Sequence, residues 1–311
     1  MNYPGLLFPG QGSQYVGMGA DLYESFPSAR TVYDRAEDIL ELPIKRLSFE
    51  GPEEELRKTC YTQPAILTHS LAALSVLNSE IGERKFEVAL TAGHSLGEYS
   101  ALYAAGCFEF ETVLKLVRCR AELMFQEGKK RPGAMAAIIG LNQEVVKSVC
   151  VEAGGVVVPA NYNEPKQTVI AGEPDAVKRA MEMAKAKGAL KVVSLPVSGA
   201  FHSPLLTESA RKFADYIRKF EIYPPRCPVI MNVTGTITQD AREVRANLEK
   251  QLISPVQWVL TIQSAREIGC LRFLEVGPGQ VLSGLVRRID RELSVSPAGK
   301  ATELKALMEG V

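Results

Sequence analysis

Histidine and tryptophan are scarce in this chain, and neither sign of charge prevails. It holds three histidines and one tryptophan in 311 residues, with 36 basic side chains against 36 acidic ones. Histidines at 69, 94 and 202 give no zinc-type spacing, and the six cysteines, at 60, 107, 119, 150, 227 and 270, contain no C-x-x-C pair. Reduced cysteines in a cytoplasmic protein are therefore expected, without a bound metal. A formal net charge of zero argues against a dedicated nucleic-acid binder, which normally carries a basic surplus. No uninterrupted apolar run reaches the length of a membrane span. Met1 to Gly10 lacks the basic start and long apolar centre of a signal peptide. What remains is a chain with 46% hydrophobic residues, enough for one large domain or a large one carrying a smaller insertion.

Leu6-Leu7-Phe8 reads as a strand ended by the tight loop Pro9-Gly10-Gln11-Gly12. After Gln63-Pro64 a helical pattern puts Ala65, Leu67, Leu71, Leu74 and Leu77 on one broad face. Val88 to Ala92 is a second apolar run feeding Gly93-His94-Ser95-Leu96-Gly97, and helical spacing resumes at Leu96, Tyr99, Leu102 and Tyr103. From Gly133 to Leu195 the texture changes to short alternating elements. Strands are expected at 134–139, 156–160, 168–171 and 190–195, with helices at 143–153 and 174–187. That βαββαβ order suggests a ferredoxin-like module over residues 132–198, inserted into a larger α/β domain made of 1–131 and 199–311. Ser203-Pro204 then opens a helix with Leu206, Ala210, Phe213, Ile217 and Phe220 on one stripe. Strands at 229–233 and 272–276 complete the larger domain, and the tail after Ser294 reads as peripheral.

Ser95 carries the strongest chemical signal. A serine hydroxyl attacks poorly unless it is exposed and relieved of its proton. Gly93 and Gly97 permit a sharp strand-to-helix turn that pushes Oγ outward, and the Leu96 amide at the helix start can donate to a developing oxyanion. A chance match in a glycine-containing loop is the competing reading, and the strand before and helix after weigh against it. Only three histidines are available as base. His69 lies in an apolar helical pattern, and His94 should point away from its neighbour Ser95. His202 is left, in a loop before a capped helix. No carboxylate stands out as a third member, since Asp215, Asp240 and Asp290 all read as solvated charges.

Six motifs then occur in order: Phe8 to Gln14, Gly93 to Glu98, Leu116-Val117 with Arg120 and Met124, Ala200 to Ser203, Ser254 to Trp258, and Glu275 to Gly279. Together they resemble the malonyl-CoA:acyl carrier protein transacylases and the related acyltransferase domains of polyketide synthases. The resemblance runs from residue 6 to about 290 and implies an α/β-hydrolase-like core with a parallel sheet, plus the ferredoxin-like subdomain. It implies an acyl-serine at Ser95, with His202 as base and then acid. The oxyanion would be held by the amides of Gln11 and Leu96, and the imidazole oriented by a backbone carbonyl, here that of Gln257. It also implies that Arg120 grips the free malonyl carboxylate, a task suited to the paired donors of a guanidinium. Arg118 would lie roughly 200° around the helix and cannot share that role, whereas Met124 shares the face of Arg120.

Phe201 either narrows the space beside the acyl α-carbon or packs as an ordinary aromatic. Asn161, Asn163 and Gln167 either border the cleft or serve a turn at Asn163-Glu164-Pro165. Substrates would be malonyl-CoA and the thiol of an acyl carrier protein, feeding fatty-acid or polyketide synthesis without a cofactor. The acidic carrier would meet a local basic surface, either Lys129-Lys130-Arg131 or Arg287-Arg288 with Arg291. The expected protein is a monomer. The competing functions are a discrete polyketide-type acyltransferase, an acyl-hydrolase editor, and a catalytically silent carrier-docking module.

Overall fold

The computed structural model describes residues 3–80, 87–197 and 199–309. Met1, Ser198, Gly310 and Val311, at the ends of the expected segments, lie outside the described residues. Two sheets organise the chain. The strands are β1 Gly5–Phe8, β2 Leu90–Gly93, β3 Ala134–Ile139, β4 Val157–Glu164, β5 Gln167–Gly172 and β6 Lys191–Ser194, followed by β7 Val229–Ile230, β8 Ile237–Thr238, β9 Arg272–Glu275 and β10 Ser294–Pro297.

The first sheet runs β10-β9-β1-β2-β7-β8. Its neighbours are parallel except for the antiparallel pair β7 and β8. β1 and β2 are buried at every residue because helices cover both faces, which is why they read as continuous apolar runs. Leu6 and Phe8 join the core beneath the helices Pro27–Leu40, Thr59–Glu80 and Phe110–Lys130. Leu7 points the other way, into a second core with Trp258, Ile262, Phe273, Leu282 and Val286. The register Phe8↔Gly93 sets the loops after β1 and β2 side by side.

The second sheet is antiparallel, in the order β4-β5-β3-β6, with helices Gln143–Ala153 and Pro174–Ala186 between strands. The expected element order over this stretch is therefore present. Asn142 caps the first of these helices through the Val145 amide at 2.9 Å. β4 of this sheet meets the segment before the helix Trp258–Glu267, where the Tyr162 amide donates to Val256 O at 2.9 Å and the Val256 amide to Ala160 O at 2.8 Å.

Three expectations need correction. The helix around Pro64 begins earlier, at Thr59, and residues 62–74 are buried all round rather than on one face, because neighbouring helices enclose it. The strand at 229 is two residues long, because the chain turns back after Met231, whose amide donates to Thr236 O at 3.1 Å. The tail is not peripheral. β10 pairs along β9, the helix Ala301–Glu309 buries Ala301 and Leu304, and the Ala301 amide donates to Asp21 Oδ2 at 2.7 Å. Among the described residues, no helix is long and apolar enough to cross a membrane.

Candidate active site

Ser95 sits between β2 and the helix Gly97–Ala104 with φ of 51°, in the left-handed region that an L-residue enters only at a cost. The flanking glycines are dictated by contact. A Cβ on Gly97 would lie 2.0 Å from Phe8 O, and one on Gly93 would lie 2.0 Å from the Gly97 carbonyl. No side chain fits there, so the G-x-S-x-G spacing follows from backbone meeting backbone. Asn232 clamps the turn: its Oδ1 accepts from the Ser95 amide at 2.6 Å, and its Nδ2 donates to Gly93 O at 2.6 Å.

His202 is 3% exposed, also has a positive φ (58°), and places Nε2 2.8 Å from Ser95 Oγ. Its Nδ1 faces two carbonyl oxygens, Gln251 O at 2.9 Å and Ser254 O at 3.1 Å. Two acceptors require Nδ1 to carry the hydrogen, which leaves the Nε2 lone pair for the serine proton. Gln257 is therefore not the orienting residue. Its carbonyl accepts from the amide of Thr261 at 2.9 Å and the hydroxyl at 3.0 Å. The reason is local: Gln251 ends the helix Ala241–Gln251, and the last carbonyls of a helix have no intrahelical donor. Burial, then the nearby Arg120 charge, push the His202 pKa down to about 3, so the ring is neutral near pH 7.

Arg120 is completely buried on the helix Phe110–Lys130. Its Nη2 donates to Ser95 Oγ at 3.0 Å, Nη1 to Gln63 Oε1 at 2.6 Å and Nε to Gln251 Oε1 at 3.1 Å. The guanidinium also lies 5.5 Å from the Tyr99 ring centroid. Arg118 is exposed on another face, 3.8 Å from Glu41. Met124 does share the buried face, and its sulfur accepts from Gln63 Nε2 at 3.3 Å.

The other expected residues divide. Leu96 is buried at the helix start. Gln11 borders a cavity of about 390 Å³ with Tyr15, Leu56 and Leu195, and its Nε2 donates to Thr59 at 3.4 Å. Phe201 is 6% exposed and packs within the main core. Asn163 Oδ1 bonds His94 Nε2 at 2.8 Å, which joins the small sheet to the residue beside the serine and takes His94 away from it. Asn161 is buried in the bridge to Val256. His69 is buried on the helix Thr59–Glu80 and bonds Gly299 O at 2.9 Å. The three aspartates work elsewhere: Asp215 pairs with Arg218, Asp240 caps a helix through the Arg242 amide, and Asp290 pairs with Arg266. Asp290 is more enclosed than a solvated charge, its side chain only 15% exposed.

Sequence reasoning missed Gln251, Asn232, Gln63 and Glu98 as parts of the site. Glu98 is fully buried, and its oxygens accept from the Asn232 amide and from Gln251 Nε2, each at 2.5 Å. Burial pushes its pKa up to about 7, against the lowering effect of those two bonds and of Arg120. Gln251 Nε2 also donates to Ser95 O at 2.9 Å. The only signals available were Glu98 closing the serine motif and Gln63 beside a helix proline. Among the described residues, no group of three or more His, Cys, Asp or Glu side chains could hold a metal ion.

A serine on a strained turn, a neutral histidine with one oriented lone pair and a buried cation beside them are the equipment of a serine acyl-transfer enzyme. The chain belongs to the acyl transferase domain family, whose profile matches residues 6–305. It is 42% identical over 290 residues to the malonyl CoA-acyl carrier protein transacylase of Bacillus subtilis (strain 168), covering 92% of this chain and 90% of that one. To the transacylase of the same name from Escherichia coli (strain K12) it is 41% identical over 305 residues, covering 97% and 98%. Among solved structures, it superposes with TM-score 0.95, at 41% identity and full coverage of both chains, on one from a type II PKS acyl-carrier protein complexed with its malonyl-transacylase. The malonyl-CoA:acyl carrier protein transacylase of Xanthomonas oryzae pv. oryzae gives 0.94 at 38% identity, covering 100% and 98%.

Proposed function

We infer that this chain transfers a malonyl group from coenzyme A to the phosphopantetheine thiol of an acyl carrier protein, through an acyl-serine at Ser95. The observation that carries this reading is the contact of one serine oxygen with both a neutral imidazole and a buried guanidinium. His202 Nε2 takes the Oγ proton as Oγ attacks the thioester carbonyl. The imidazolium is stabilised by the carbonyls on Nδ1, and it returns the proton to the departing coenzyme A thiolate. Deacylation reverses the roles: the carrier thiol gives its proton to His202 and attacks the acyl-serine carbonyl, the Oγ–acyl bond breaks, and His202 returns the proton to Ser95 Oγ. The amides of Gln11 and Leu96 serve as oxyanion donors. The side-by-side loops after β1 and β2 and the place of Leu96 at a helix start support this.

The strand order of the antiparallel sheet, with its two helices, supports reading residues 132–198 as a ferredoxin-like insertion in an α/β-hydrolase-like core of 1–131 and 199–311. Of the two basic surfaces, Arg287 and Arg288 suit the carrier better. With Arg291 and Lys166 they line an open groove of about 670 Å³. Arg288 pairs with Glu164, next to Asn163, which holds His94 beside Ser95. Lys129 instead lies over its neighbour Phe125, and Arg131 lies 3.7 Å from Glu127. The same reading makes the chain a cytoplasmic monomer that needs neither metal nor organic cofactor, with Phe201 and Met124 shaping the acyl pocket. The test is a product assay with malonyl-CoA, with and without carrier protein. Malonyl-carrier as main product supports transfer, whereas free malonate at the same rate in both arms would mean a hydrolase.

A further inference from the structure

Gln251 faces four parts of the site at once. Its main-chain oxygen takes the His202 Nδ1 hydrogen, its Oε1 takes the Arg120 Nε hydrogen, and its Nε2 donates to Ser95 O and to Glu98 Oε2. An amide side chain can be turned end for end at little cost in shape, so something must decide which end faces Arg120. Arg120 favours the oxygen. So do Glu98 and Ser95 O, from the other side, because a carboxylate and a carbonyl oxygen accept and cannot donate. Both Glu98 oxygens receive N–H donors, the pattern of an anion, which is populated as pH reaches and passes its pKa of about 7.

Charge balance points the same way. The guanidinium is fully buried, and the three side-chain acceptors it reaches are neutral. A buried charge without compensation is strongly unfavourable. Glu98, also fully buried, is the carboxylate whose charge acts on Arg120, at the distance of one intervening amide.

We propose that Glu98 is a positioning residue for acyl transfer: as the counter-charge of Arg120 it fixes the Gln251 amide so that Arg120 and His202 are presented together to the Ser95 adduct. The proposal rests on the malonyl-transfer reading above. Through Asn232, whose amide it also accepts, Glu98 bears on the serine turn as well, since the Asn232 side chain holds Ser95 N and Gly93 O.

The donor and acceptor pattern allows a test that a merely structural role would fail. In E98Q one end of the new amide sets a donor against a donor, at Gln251 Nε2 or at the Asn232 main-chain amide, unless Gln251 flips and turns a donor toward Arg120. In Q251E two carboxylates meet. In E98Q/Q251E the contact between the two side chains is complementary again: the introduced amide donates to the introduced carboxylate, which accepts from Arg120, while Ser95 O lacks its donor in Q251E and in the double variant alike. We expect each single variant to lose roughly ten- to hundredfold in kcat/KM for malonyl-CoA. The ratio of malonyl to acetyl transfer should fall in both, and the double variant should recover at least about tenfold over Q251E, which lacks the same Ser95 O donor. A double variant as poor as the product of the single losses, or an E98Q within twofold of wild type, would overturn the proposal. Should E98Q not fold, Q251E against the double variant decides the matter: recovery supports the role and further loss removes it. Failure of wild-type protein to form malonyl-Ser95 would instead overturn the underlying reading, and it is seen without any variant.

Discussion

Arg120 donates from Nη2 to Ser95 Oγ at 3.0 Å, so the buried cation touches the atom that would carry the acyl group. A malonyl group on Oγ offers its own carboxylate to replace that bond. An acetyl group leaves the guanidinium with nothing new to bind.

Removing the cation should therefore act in two directions. Charge-assisted hydrogen bonds contribute roughly 1.5–3 kcal/mol each, and a site with an unmatched buried polar group can reject an analogue by roughly 10⁴-fold. Arg120→Ala should lose most malonyl transfer while transfer of acetyl holds or rises. The measurement is kcat/KM for both thioesters in both proteins. Equal losses would return Arg120 to a role in holding coenzyme A alone.

His202 works without a carboxylate partner. His202→Ala should slow acylation by roughly 10²–10⁴-fold, as general-base loss does. Alanine at Asp215, Asp240 or Asp290 should change it less than about threefold, since surface charges and caps contribute only modestly. Single-turnover release of coenzyme A reads this directly, and a large loss at any aspartate would reveal a third member.

The turn itself makes a backbone prediction. Gly97→Ala sets a methyl group 2.0 Å from Phe8 O, a backbone atom that cannot swing aside. Misplacement of a reacting atom by about 1 Å can cost roughly 10²-fold, and acylation should fall at least that far. Gly284→Ala is the control, because its nearest contact is the far end of Arg288 at 3.7 Å and it lies within the helix Val281–Ile289. There alanine should leave activity intact and stabilise by about 0.5–1 kcal/mol.

A pH prediction concerns the other buried ring. Burial holds His69 down to a pKa of about 4, below the ordinary 6.5. The unfolded chain therefore takes up the proton first, and stability falls as pH drops below about 6.5, down toward 4. Between pH 7 and 5 this one residue should account for roughly 2 kcal/mol. Urea unfolding of wild type and His69→Gln at both pH values tests it: the variant should lose less stability on acidification, and parallel losses would exclude His69 as the cause.

What the sequence showed of this site, and what it hid, follows from distance along the chain. Ser95 was legible because the constraint on it is local, two glycines at i−2 and i+2 set by backbone contact. Arg120 and His202 took their meaning from motif order, and the small sheet from alternating short elements. Gln251 and Asn232 act across 156 and 137 residues, and nothing near them in sequence marks their partners. Motif resemblance points to the Gln257 carbonyl, whereas the orienting oxygens belong to Gln251 and Ser254, at and just past a helix end, because a main-chain oxygen carries no residue-specific mark. The tail is hidden for a related reason: Ser294–Pro297 has little apolar pattern, and its place depends on pairing with β9.

The central claim is a covalent step at one oxygen. Incubation with malonyl-CoA and no carrier, followed by proteolysis and mass spectrometry, should add one malonyl mass to the peptide containing Ser95, and none in Ser95→Ala. EDTA should not change the result. Malonyl found on another residue, or undiminished transfer by Ser95→Ala, would contradict the account.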